Sequence, residues 1–244
     1  MKLIASYILT FFFHLYYGLF LGIFHPIQVL AHWIFGDKGR KKVVDILNFF
    51  LVKGLYILGS KVTFKGFEKL PADRPMIIIA NHQSMYDIPP VVYGFRKHYP
   101  RFISKIELAK NLPSISYNLK HGKSALIDRS NRSQAVKEIF KVGRLTQQNK
   151  QAICIYPEGT RSKNGKLKPF KQAGIETLLR TIPDAVIVPF VINGHDRLTA
   201  KGTFPMMIGQ TITYTVLDPI EPKGQDIEEM VKDIHSKMKN ELNQ

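Results

Sequence analysis

The chain has 244 residues, with 35 Lys and Arg against 19 Asp and Glu, a formal net charge of +16. Hydrophobic residues at 45% and charged residues at 22% exclude a disordered chain and allow a single domain with a sizeable core. One cysteine excludes a disulfide framework and any zinc site built on cysteines, and the positive balance calls for an anionic partner: nucleic acid, a membrane surface or a phosphorylated substrate.

Residues 3–36 contain no Asp, Glu, Lys or Arg. Positions 3–24 are almost all apolar or aromatic, long enough to cross a bilayer as a helix. A secretory signal is the competing reading, but the segment exceeds the usual apolar core, and His25-Pro26 stands where a small-residue cleavage site would be. A very hydrophobic core helix is the other alternative. Pro26 predicts a break, giving a long helix, a bend and a shorter helix. The segment then either spans the membrane or dips into one leaflet as a helical hairpin. The cluster Lys38, Arg40, Lys41 and Lys42 would meet anionic headgroups and, if the first helix spans, would leave the rest of the chain on the cytoplasmic side. Across 43–59, Val44, Leu47, Phe50, Leu51, Leu55 and Leu58 fall on one side of an amphipathic helix. Residues 1–59 thus read as membrane-associating helices and 60–244 as a separate α/β domain.

Beyond residue 60, predicted strands fall at 76–80, 101–104, 124–127, 152–156, 185–191 and 211–216. Cys154 lies in an apolar run and is expected to be a buried small hydrophobe. Helical periodicity is clearest at 133–148 and 172–182, and 225–240 reads as a surface helix. Apolar strands alternating with helices predict a mixed, largely parallel sheet covered on both faces.

In such folds the functional crevice lies beyond the carboxyl ends of the strands. His82 sits just past the strand at 76–80, and Asp87 follows five residues later. Five residues of helix would leave the two side chains apart, so they meet only if the segment turns. If they meet, the carboxylate fixes one imidazole nitrogen and leaves the other as a proton acceptor. Alternatively, Asp87 caps the following helix and His82 is a turn residue. A second loop, Tyr156-Pro157-Glu158-Gly159-Thr160-Arg161-Ser162, follows another buried strand, and Arg161 offers a planar fork for phosphate. Lys163, Lys166, Lys168 and Lys171 come next; a basic surface loop would look the same. A third strand ends in Ile127-Asp128-Arg129, where a structural salt bridge is the default expectation.

These blocks, together with Val188-Pro189-Phe190-Val191-Ile192-Asn193-Gly194 and Ser104-Lys105-Ile106-Glu107-Leu108, resemble the ordered motifs of the glycerolipid acyltransferases over roughly residues 60–200. The resemblance is greatest to the members that convert 1-acylglycerol-3-phosphate (lysophosphatidic acid) to phosphatidic acid. It departs at Tyr156, commonly phenylalanine, at Ser124-Ala125, usually bulkier, and at Phe170-Lys171-Gln172-Ala173-Gly174, which has one extra residue before the glycine. It implies that His82 is a general base held by Asp87. It further implies that Glu158, Gly159, Thr160 and Arg161 bind the glycerol phosphate, with Arg129 a second phosphate ligand. No metal or cofactor is implied; acyl-CoA or acyl carrier protein would be the acyl donor. The implied partners are lysophosphatidic acid and an anionic membrane surface, with the catalytic domain on the cytoplasmic face. Acylation of another lysolipid or polar alcohol is the alternative within the class, and a non-catalytic basic membrane-binding protein is the alternative outside it. Nucleic-acid binding has no recognition motif here and leaves the apolar N-terminus unexplained.

Overall fold

The computed structural model describes residues 2–162 and 165–244. Its first element, α1 (Lys2–Lys53), is a helical hairpin. The chain stays helical through Pro26 and reverses instead at Gly36, whose φ of 63° and ψ of −155° are open essentially to glycine alone. The predicted break at Pro26 is therefore displaced by ten residues. The helix survives the missing proline amide because Ser114 holds it on both sides. The Ser114 hydroxyl donates to the Leu21 carbonyl (2.9 Å), its amide to His25 Nδ1 (3.1 Å), and its carbonyl accepts from Gln28 Nε2 (2.9 Å). Past Gly36 the second arm runs back along the first. Phe20 and Phe24 pack against Phe50 with tilted rings, and the Tyr16 hydroxyl donates to the Phe50 carbonyl.

The first arm is amphipathic the wrong way round for a soluble protein. Ser6, Thr10 and Gln28 face inward, while Phe11, Leu15, Leu19, Ile23 and Leu30 face outward, and Trp33 is 83% exposed. The inward side docks by polar contacts along its length, from Thr10 accepting the Met206 amide, through His14 against the Tyr86 hydroxyl, to His32 against Tyr117. By length and composition the helix could cross a membrane. The basic cluster divides. Arg40, 1% exposed, bonds Asp37, Asn118 and Tyr99, and Lys41 bonds Asp45 and the Arg96 carbonyl; only Lys38 and Lys42 of the four point outward.

The rest is a seven-stranded sheet in the order β1 (Lys61–Lys65), β7 (Thr211–Val216), β6 (Val186–Asn193), β2 (Met76–Ala80), β5 (Ala152–Ile155), β3 (Arg101–Lys105), β4 (Ala125–Ile127). Neighbours run parallel except β6 and β7. Beyond α1, the helices are α2 (Ile88–Gly94), α3 (Ile115–His121), α4 (Arg132–Asn149), α5 (Gln172–Thr181), α6 (His195–Leu198) and α7 (Ile227–Glu241). Alternation along β2 sends Met76, Ile78 and Ala80 toward α1 and α2, and Ile77 and Ile79 toward α4, α5 and α7. Cys154 is buried on the first of these faces, and burial pushes its thiol up. Phe13, Val44, Leu55 and Leu58 of the N-terminal segment share that core, so the hairpin packs as part of the α/β unit.

Candidate active site

Strand β2 delivers its carboxyl end to the middle of the sheet edge, between β5 and β6. There Asn81 replaces the next rung of the ladder with its side chain: Nδ2 donates to the Ile192 carbonyl (2.8 Å) and Oδ1 accepts the Ile192 amide (2.7 Å). The backbone is thereby free to leave the sheet at His82 without losing β6. A short 3₁₀ turn at Met85–Asp87, capped by Ser84, brings Asp87 back on His82.

The two predicted catalytic side chains meet. His82 Nδ1 lies 2.7 Å from Asp87 Oδ2, which also accepts the Gln83 amide (2.7 Å) and the Ser84 amide (2.8 Å). Asp87 therefore does not cap α2 with its side chain, and Pro89 and Pro90 leave that helix few amides to cap. The second carboxylate oxygen, Oδ1, faces His195 Nδ1 at 2.6 Å. Burial of Asp87 opposes its charge, but hydrogen bonds and charge from His195 and His82 outweigh it and hold the carboxyl down at about 2. An ionised carboxylate only accepts, so His82 carries its proton on Nδ1. Its Nε2 has no protein partner among the described residues, the side chain is 20% exposed, and the ring stacks on Tyr156 at 4.4 Å. The geometry is that of an oriented general base open on one side.

The loop after β5 frames this base. Gly159, at a φ of 73°, closes a turn on the Tyr156 carbonyl, and a Cβ there would lie 3.1 Å from Lys171 Nζ. Glu158 does not face outward as a substrate ligand would. It is buried, Oε1 accepts the His82 amide (2.6 Å) and Oε2 the Lys168 amide (3.0 Å), and burial outweighs these bonds and raises its carboxyl. The Ser162 amide donates to the His82 carbonyl (2.7 Å), so the loop grips His82 from both sides. Thr160 and Arg161 are exposed, and Lys168 Nζ bonds the Thr160 hydroxyl and the Arg161 carbonyl. The Arg161 guanidinium is unpaired among the described residues. Lys163 lies outside the described residues.

Arg129 is also exposed and on the same edge, but it follows β4, three strands from β2. At about 4.8 Å per strand it starts ~14 Å along from His82, whereas Arg161 follows the adjacent strand. Its neighbour Asp128 bonds the amide and hydroxyl of Ser130, so the salt bridge expected with Arg129 is replaced by a capped turn.

Two residues of the site were not anticipated. His195 follows Gly194 at the end of β6, and its Nε2 meets the Tyr214 hydroxyl of β7 at 2.8 Å. The available signal was positional: like His82, it is a histidine just beyond a buried, mostly apolar strand.

The chain resembles known acyltransferases in sequence and in fold. The chain is 36% identical over 176 residues to a 1-acyl-sn-glycerol-3-phosphate acyltransferase of Cocos nucifera, covering 72% of this chain and 54% of that protein. It is 26% identical over 201 residues to the alpha form of that enzyme from Homo sapiens, covering 81% and 69%. The chain thus spans about half the length of the Cocos protein. The crystal structure of PlsC, the lysophosphatidic acid acyltransferase of Thermotoga maritima, superposes with a TM-score of 0.84 at 26% identity, covering 100% of this chain and 97% of that one. The sequence profile of the Acyltransferase family matches residues 61–193, more than half of the chain and all of the site but Tyr214 and His195, and the protein belongs to that family.

Proposed function

We propose that the protein transfers a fatty acyl group from an acyl thioester to the free hydroxyl of 1-acylglycerol-3-phosphate, giving phosphatidic acid. The observation that carries this reading is His82, fixed through Nδ1 by a buried, ionised Asp87 and open at Nε2. His82 Nε2 takes the hydroxyl proton as the substrate oxygen attacks the thioester carbonyl. Asp87 stabilises the imidazolium, and the same proton passes to the departing thiolate as the C–S bond breaks. The substrate alcohol is the nucleophile. Glu158 acts by position, bracing the His82 backbone, while Arg161 binds the phosphate, with Thr160 and the open backbone at Gly159 beside it. Arg161 is preferred to Arg129 because hydroxyl and phosphate are only a few bonds apart in the acceptor and Arg161 lies on the neighbouring strand.

The donor is acyl-CoA or acyl carrier protein, both anionic and both suited to this basic edge. The segment 1–59 associates with an anionic membrane surface and holds the 60–244 unit on the cytoplasmic face, where such water-soluble donors are supplied. The first arm lies in one leaflet and does not span it, because its contacts with the domain run from Tyr7 to His32 and leave no free stretch of about 20 residues.

The test is a thiol-release assay with acyl-CoA and 1-acylglycerol-3-phosphate. Wild type should release thiol only when the acceptor is present, and His82→Ala should be slower by about 10²–10⁴ while still folding. Acceptor-independent release, or wild-type turnover by His82→Ala, would overturn the assignment.

A further inference from the structure

The buried histidine has no part in the reaction just described, and its surroundings are built around it. Three of the donors to Asp87 come from the loop that carries His82: His82 Nδ1 and the Gln83 and Ser84 amides, all on Oδ2. They hold the carboxylate to its own loop and all lie on one of its two oxygens. Oδ1 is held by His195 Nδ1 at 2.6 Å, from the end of β6. His195 is itself fixed, by Gln83 Oε1 accepting its amide (3.1 Å) and by the Tyr214 hydroxyl on β7 at its Nε2 (2.8 Å). Asp87, His195 and Tyr214 are all fully buried.

We propose that His195 is a positioning residue for acyl transfer: acting through Asp87, with Tyr214 behind it, it holds the carboxylate in the plane and distance at which His82 is an effective base. The proposal rests on the reading of His82 as the general base. The direction of the bond to Asp87 follows from chemistry. Asp87 only accepts, so His195 carries a proton on Nδ1, and its Nε2 is paired with the Tyr214 hydroxyl. The negative charge of Asp87 is left to face His82. The other titratable groups near Asp87 are Cys154, Tyr156 and Tyr214, all kept neutral by burial; Glu158 stands beyond, on the His82 amide.

Without His195, Oδ1 is a buried acceptor with no donor, the carboxylate becomes more basic, and the His82–Asp87 pair keeps its proton to higher pH. Losing one hydrogen bond to a charged group should move the acidic limb of the pH–rate profile up by about one pH unit. Misplacement of the base should cost roughly tenfold to a hundredfold in kcat. The acceptor KM should stay put, since His195 touches no substrate.

His195→Phe tests this directly, and His195→Asn is the rescue, because its carboxamide N–H can still donate to Asp87. We expect His195→Phe to show both effects and His195→Asn to regain most of kcat and the wild-type limb. Wild-type kcat and limb in folded His195→Phe would overturn the proposal. So would equal losses in both variants with an unmoved limb, which would mark His195 as packing alone. If His195→Phe does not fold, Tyr214→Phe, lacking one hydroxyl, decides: a smaller shift in the same direction supports the relay and an unchanged profile refutes it. Ring ¹⁵N titration of His82 in detergent-solubilised full chain needs no acceptor. It should move up in the affected variants, and an unmoved titration refutes the proposal even if wild type fails to acylate 1-acylglycerol-3-phosphate, an outcome that would overturn only the acceptor reading.

Discussion

Asp87, itself fully buried, accepts hydrogen bonds from two histidines and two amides, which ties stability to the same carboxylate as catalysis. A carboxyl held at about 2 in the folded protein and at 3.8 when free contributes about 2 kcal/mol. The folded-state value is the depressed one, so this stability is fully present above about pH 5 and is lost as pH falls toward about 2. Asp87→Asn lacks the titration. The gap in unfolding free energy between wild type and Asp87→Asn should therefore close by about 2 kcal/mol between about pH 5 and about pH 2, as followed by denaturant melts. A gap that does not change with pH would mean that the carboxyl is not charged in the fold. Arg161 and Arg129 differ in their distance from His82. Arg161→Ala should raise the acceptor KM roughly tenfold or more, as expected for a lost charge-assisted bidentate pair, and Arg129→Ala by much less. Kinetics with both substrates varied separates acceptor from donor effects. The His82–Asp87 pair was legible through the family resemblance, because a histidine beyond a buried strand with a carboxylate five residues on fits a turn and helix cap equally well. The brace of Glu158 on His82 and the role of His195 went unforeseen for one reason: each is defined by a partner far away in the chain, the His82 amide for one and Asp87 for the other.

Among the elements, apolar strands buried on both faces read clearly, and β2 and β7 were located to the residue. The edge strand β1 was not. Its sequence Lys-Val-Thr-Phe-Lys is bracketed by lysines that suit an unpaired edge and hide a strand that only β7 pairs. The turn of α1 was misplaced because proline is the commoner breaker, whereas the position that must leave helical geometry is Gly36. Gly39 then allows the arms to close: a Cβ there would meet the Ala31 carbonyl and the Phe35 Cβ at 2.6 Å each. Gly36→Ala should cost about 1–3 kcal/mol through backbone strain alone, since its Cβ would meet nothing. Gly39→Ala should cost a similar amount through overpacking, and it should also loosen the ring contacts of Phe20 and Phe24 with Phe50. Pro26→Ala should be nearly neutral, because Ser114 already holds that stretch. Thermal melts of the three variants rank them, and a proline variant more damaging than either glycine variant would return the hinge to Pro26.

For the whole molecule, the distribution of polarity on the first arm has one physical resolution. Its inward side offers Thr10, His14, Gln28 and His32 to the domain, and its outward side exposes Phe11, Leu15, Leu19, Ile23, Trp33 and Phe35. An apolar patch of that size is tolerated in water only if something covers it, and a lipid leaflet fits its length and its lack of charge. The site lies beside the arm: Tyr86, next to Asp87, packs on Phe13, His14 and Tyr17. Seating the arm in a leaflet would bring the His82 edge to the headgroup plane, where the proposed lysolipid acceptor would carry its phosphate. Deleting residues 1–36 would test this badly, since Phe13 belongs to the core. Replacing Phe11, Leu15, Leu19 and Ile23 with Gln leaves every inward contact intact. At about 1 kcal/mol of lost apolar transfer per side chain, vesicle partitioning should fall by roughly 10³. Lys38→Gln with Lys42→Gln should weaken binding to anionic vesicles alone, and only at low salt, by about 1 kcal/mol each. Flotation measures both. The four-residue variant should keep turnover on a short-chain, monomeric lysolipid and lose it on long-chain substrate in vesicles. Flotation equal to wild type in that variant would show that the exposed face is not what meets the membrane.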